Sequence, residues 1–158
     1  MERTPNPQPA GQRHVVLFLC TGNYYRSRFA EIYFNWLARR DHLVGWSADS
    51  RGLALDPLNP GPLSVHTRRY LEQLEIPLPE PLRMPQDVAE EDFRTARWVV
   101  ALKEAEHRPL MQRRFPLWAE QVEYWRVHDL DCALPSKALP QVKGHVDELY
   151  SRLLQSLG

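Results

Sequence analysis

Six residues near the start of the chain, 14–19 (HVVLFL), limit the folds open to it. The run is apolar at odd and even positions alike. A strand of that kind must be covered on both sides, as in the middle of a parallel sheet. Directly after it come Cys20-Thr21-Gly22-Asn23-Tyr24-Tyr25-Arg26-Ser27 and then a helical pattern. Within 28–40, Phe29, Ile32, Tyr33, Trp36 and Leu37 fall on one stripe. Strand, short loop and helix in that order form the basic unit of α/β folds.

The same alternation continues down the chain. Residues 43–48 (LVGWSA) read as a second, weaker strand, followed by the Pro/Gly-broken loop GLALDPLNPG. A helix is expected over 62–75, opened by a proline, and a short acidic helix over 86–95. WVVAL (98–102) is another buried strand. EAEHRPLMQRRF (104–115) runs from acidic to basic as a helix dipole prefers, although Pro109 interrupts it. VEYWRV (122–127) is a further strand. Residues 138–157 place Val142, Val146, Leu149, Tyr150, Leu153, Leu154 and Leu157 on one helical stripe. The order predicts an α/β fold: a parallel sheet flanked by helices on both faces, with right-handed crossovers. Ligands in such folds sit beyond the C-terminal ends of the strands, where strand order reverses.

Composition narrows the function classes. The 158 residues carry 20 basic and 20 acidic side chains, a formal net charge of zero. That balance argues against nucleic acid or an anionic membrane as partner. Two cysteines, Cys20 and Cys132, are too few for a disulfide scaffold. No apolar run is long enough to span a bilayer and no secretory pattern opens the chain, so a cytoplasmic protein is expected. Residues 1–13, with three prolines and no aliphatic cluster, read as a disordered tail, and 14–158 as a single domain.

The segment 20–27 is C-x5-R-S between a buried strand and a helix, and each position has a task if the ligand is a phosphoryl group. A loop entering a helix presents free N–H groups and the positive end of the helix dipole. Gly22 and Asn23 are the residues best able to take left-handed backbone conformations, which an anion nest needs. Arg26 supplies a planar fork for two phosphoryl oxygens. Cys20 sits at the base of the nest, where a thiolate can attack without a separate base and leave again. Ser27 is placed to donate to that sulfur. The spacing alone occurs by chance in about one or two chains per hundred of this length. The strand before it and the helix after it are what make it informative.

Residues 17–31 (LFLCTGNYYRSRFAE) resemble the opening of the low-molecular-weight protein tyrosine phosphatase family. The likeness extends loosely along the domain, through SADSRGL (47–53), EEDF (90–93) and the loop after VEYWRV. It implies a four-stranded parallel sheet with the phosphate-binding loop after the first strand. It also implies a two-step phosphatase without metal or cofactor, releasing inorganic phosphate from a phosphotyrosine protein or a small aryl phosphate. By that match Cys20 is the nucleophile and Arg26 the phosphate clamp. Thr21, Gly22, Asn23, Tyr24, Tyr25 and Ser27 surround the substrate. Two departures stand out: Arg28 stands where the family commonly has proline, and Tyr25 where many members carry a second, protective cysteine.

The leaving group needs a proton, and the water that cleaves the intermediate needs a base. The family takes both from an Asp-Pro pair after its fourth strand. Here that loop reads His128-Asp129-Leu130-Asp131-Cys132. Asp129 is the better match and Asp131 the alternative. Asp56-Pro57 belongs to a different part of the chain. HDLDC lacks the second Cys/His pair that zinc would need, and His14, His66, His107 and His145 read as surface or helix residues. Tyr24 is a candidate pocket wall suited to a phenyl phosphate, with Leu53, Asp49 and Arg51 nearby in sequence pattern. Two alternatives remain: an arsenate reductase, for which Cys132 is the one further cysteine, and a phosphate- or phosphopeptide-binding module without turnover.

Overall fold

The computed structural model describes residues 13–126 and 134–158. Among them the order is β1 His14–Cys20, α1 Arg26–Arg40, β2 Trp46–Gly52, α2 Val65–Gln73, α3 Glu90–Thr95, β3 Trp98–Ala101, α4 Glu104–Arg114, β4 Glu123–Tyr124 and α5 Pro135–Leu157. A 3-10 turn, Ala119–Gln121, precedes β4. The four strands form one sheet in the order β2-β1-β3-β4, and every pairing is parallel. Strand order reverses at β1, so the loop after Cys20 opens at the switch point.

β1 is central because its residues serve both faces. Val16, Phe18 and Cys20 pack into a core with α1, α2 and α5. Leu17 and Leu19 pack on the other side with Leu53, Phe93 of α3 and Met111 of α4. Phe18 is fully buried, its ring 6.3 Å from Phe34 and 5.9 Å from Trp125. Phe18→Ala is expected to cost about 3–5 kcal/mol of stability, because the cavity lies between a sheet and two helices that cannot close over it. Urea unfolding would show this as a lower midpoint with an unchanged slope.

Several boundaries differ from expectation. β2 begins at Trp46 rather than 43 and runs on to Gly52. It is an edge strand whose side chains alternate between buried and open positions, so its polar half, Ser47 to Arg51, does not stand out as an apolar run. α2 starts at Val65, where Ser64 caps it by accepting from the His66 amide at 3.2 Å, and not at Pro62. Of the strand expected over 122–127, the described residues through 126 keep only Glu123 and Tyr124, which lie in register with Val100 and Ala101. α4 continues through Pro109, and α5 begins three residues early with Pro135 in its first turn. Among the described residues no helix is long and apolar enough to cross a membrane. The expected tail falls almost entirely on residues outside those described.

Candidate active site

The loop between β1 and α1 is held by its carbonyl oxygens. Those of Cys20 and Thr21 accept from the amides of Leu53 and Ala54, both at 2.9 Å. Tyr24 O accepts from Ser64 N at 2.9 Å, and Tyr25 O from the Thr67 hydroxyl at 3.0 Å. With these acceptors engaged by neighbouring segments, the N–H groups of Gly22, Tyr24 and Tyr25 donate to nothing else among the described residues. α1 adds to the same field, because its first turn has no acidic residue and no side-chain cap.

Asn23 is the keystone of the loop. It takes the left-handed conformation, with φ of 50°, while Gly22 lies outside that region. The expectation that both would share the turn is thus corrected: one residue reverses the chain, and asparagine tolerates the position. Asn23 is completely buried and uses all four hydrogen-bonding sites of its amide. Its oxygen accepts from the Gln86 amide at 3.0 Å and from Arg83 NH1 at 2.9 Å. Its nitrogen donates to Ser27 Oγ at 3.0 Å and to Ser50 Oγ at 2.8 Å. The backbone donor at Gln86 decides which way the amide faces. Ser27 must then accept from Asn23, which leaves its own proton for Cys20 Sγ, 2.7 Å away. A second donor, the backbone N–H of Asn23, reaches the sulfur at 3.3 Å. The buried Cys20 sulfur therefore sits between two donors and, among the described residues, touches no base.

Gly52 makes this approach possible. A β-carbon there would lie 2.7 Å from Thr21 O and 3.2 Å from Asn23 Cβ, so no side chain fits between β2 and the loop. The SRG portion of β2 follows from this: Ser50 reaches Asn23, and Gly52 lets the strand end against the loop.

Beneath the loop lies a charged cluster that sequence reasoning did not find. Arg28 is completely buried and joins Glu31 and Arg83 there, its Nε 3.9 Å from Glu31 Oε1. Ser50 Oγ donates to Glu31 at 2.6 Å, and Arg83 reaches Glu31 at 3.1 Å and Asp49 at 3.2 Å. Burial raises the Glu31 carboxyl above its ordinary range against the pull of Arg28, and burial lowers the Arg28 guanidinium. A proline at 28 could take no part in this. Arg83 lies in a stretch that reads only as connector, so no local signal marked it.

Arg26, the first residue of α1, meets Glu106 Oε2 through its NH2 at 2.8 Å. Glu106 also accepts from the Thr21 hydroxyl and lies 3.0 Å from His107 Nε2. Tyr24 stands at the edge of the loop and donates its hydroxyl to Pro60 O at 2.7 Å. The Tyr25 ring packs against the core with its hydroxyl buried, so Tyr25 faces the loop through its backbone. Leu53 is no pocket wall, being completely buried on the far face of the sheet. Asp49 pairs with Arg51 at 2.9 Å as well as with Arg83, and Arg51 lies 3.5 Å from Asp92. Asp56 works as a turn residue, accepting from the Leu58 amide at 2.9 Å. His14 is buried in β1 and departs from the expectation, while His66, His107 and His145 lie in helices. Among the described residues no three His, Cys, Asp or Glu side chains could hold a metal ion. Asp129, Asp131 and Cys132 lie outside the described residues.

A family model described as low molecular weight phosphotyrosine protein phosphatase matches residues 15–149. The chain belongs to that family. Solved structures agree in fold. The low molecular weight protein tyrosine phosphatase SP-PTP of Streptococcus pyogenes is 19% identical, with 89% of this chain and 93% of that one covered and a TM-score of 0.73. The arginine phosphatase YwlE of Geobacillus stearothermophilus is 21% identical, over 91% and 92%, with a TM-score of 0.64. The thioredoxin-dependent arsenate reductase of Corynebacterium glutamicum is 16% identical, over 94% of this chain and 65% of that one, with a TM-score of 0.66. A comparison with curated proteins returns no match. At these identities the fold is shared, while the activities named for the three proteins differ. The family is shown; the choice of substrate within it rests on the site.

Proposed function

We propose that the protein is a cysteine-dependent phosphatase acting on aryl phosphates, phosphotyrosine among them, through a phosphocysteine intermediate. The observation that carries this reading is the Cys20 sulfur held at 2.7 Å by Ser27 Oγ and at 3.3 Å by the backbone N–H of Asn23, at the floor of an anion nest. In the first step Cys20 Sγ forms the S–P bond as the ester P–O bond breaks. Asp129 gives its proton to the departing oxygen. In the second step water forms the new O–P bond as the S–P bond breaks, and Asp129 takes the proton. The loop amides and Arg26 meet the charge on the phosphoryl oxygens throughout, which is the largest contribution to such a transfer. Tyr24 supports an aryl leaving group, since its ring, fixed through Pro60, offers a flat wall at the loop edge.

Hydrolysis of an aryl phosphate with a chelator present tests the reading, with phosphotyrosine, phosphoarginine and arsenate as competitors. Asp129→Ala is expected to lower turnover about 10²–10⁴-fold for esters with poor leaving groups and far less for activated ones. Asp131→Ala should leave that pattern unchanged. The reverse result would move the acid to Asp131. Thiol-dependent production of arsenite without ester hydrolysis would replace the reading with reduction.

A further inference from the structure

Glu106 stands at N3 of α4, with Lys103 as the N-cap. A glutamate there ordinarily turns back to the N-cap amide in a capping box. Here His107 takes that donor: the Lys103 amide donates to His107 Nδ1 at 3.0 Å. Two consequences follow. His107, completely buried, must carry its proton on Nε2, which points at Glu106 Oε2 from 3.0 Å and at Thr21 Oγ1 from 3.2 Å. Glu106, released from capping, reaches across to the loop after β1.

We propose that Glu106 is a positioning residue for Arg26: its Oε2 collects the Arg26 guanidinium, the Thr21 hydroxyl and the His107 ring, and so fixes the fork that receives the phosphoryl group. Three donors converge on one oxygen, two from the loop and one from a ring with no freedom to turn. The Glu106 contact engages one N–H of NH2, so the second N–H of that nitrogen, with Nε or NH1 beside it, can still form a fork for an anion. Arg26 is a long side chain, and a guanidinium held in one orientation loses less freedom when it closes on two oxygens. The same hydrogen bonds, that from His107 first, hold the Glu106 carboxyl well below the ordinary carboxylate range. It stays charged at working pH and cannot serve as a proton donor. Burial lowers His107, which keeps the ring neutral.

The inference rests on the phosphatase reading, yet it is read independently by anion binding. Glu106→Ala and Glu106→Gln, alone and with Arg26→Ala, would be measured for aryl phosphate hydrolysis and for inorganic phosphate binding by calorimetry. Glu106→Ala is expected to lower kcat/KM about 10- to 100-fold and to weaken phosphate binding, the size of one or two lost charge-assisted hydrogen bonds. Glu106→Gln, whose amide oxygen can still accept from Arg26 and one further donor, should fall between the alanine variant and the parent. With Arg26→Ala already present, removing Glu106 should change either quantity less than about twofold. Charge alone predicts the opposite sign, because deleting an anion beside the nest would tighten phosphate. Phosphate binding by Glu106→Ala as tight as the parent's, or equal losses with and without Arg26, would overturn the role. So would a Gln variant no better than the Ala variant. A parent protein inactive on esters would sink the phosphatase reading, while the phosphate titrations would still decide the role of Glu106.

Discussion

Cys20→Ser is expected to leave a folded protein that binds inorganic phosphate and turns over no aryl phosphate, a loss of at least about 10⁴-fold. The reason lies in what surrounds the sulfur. Ser27 Oγ at 2.7 Å and the backbone N–H of Asn23 at 3.3 Å are both donors. They suit an anion that already exists and cannot create one. A thiolate needs nothing more, but a serine hydroxyl would need a base, and none is in contact among the described residues. Acid-quenched mass spectrometry should find a phosphoryl adduct on the parent at residue 20 and none on the variant. Serine there with activity within tenfold of the parent would mean that attack comes from elsewhere.

The second large effect is expected at Arg26. Replacing it with lysine keeps the charge and loses the fork. Two charge-assisted hydrogen bonds at about 1.5–3 kcal/mol each amount to about 10²–10⁴ in kcat/KM. Alanine should be worse than lysine, because it removes the positive charge as well as the fork. Steady-state kinetics with an aryl phosphate and inhibition by inorganic phosphate measure both effects. A lysine variant within tenfold of the parent would show that a point charge suffices and that planar geometry does not matter.

The loop between β1 and α1 is legible in the sequence because its constraints are local. A strand that must be buried on both sides, a cysteine at its end, a turn residue and an arginine opening a helix lie within a dozen positions. Helical period placed α1 and α5, and the alternation of elements gave a parallel sheet covered on both faces. The edge strand was the weak point, since its outer side chains are polar and carry no apolar signal.

What the one-dimensional chain could not disclose is which distant groups finish the loop. Arg83 and Gln86 set the Asn23 amide from about sixty positions away, and Glu106 reaches Arg26 across 80. Glu106 reads as an ordinary first-turn acid until His107 is seen to hold the cap in its place. Spacing along the chain specified the cup itself, because strand, turn and helix termini obey short-range rules of backbone geometry. The partners that orient its side chains were decided only by the packing of β2, the 80s connector and α4 around it, since a hydrogen bond depends on separation in space and carries no mark in sequence.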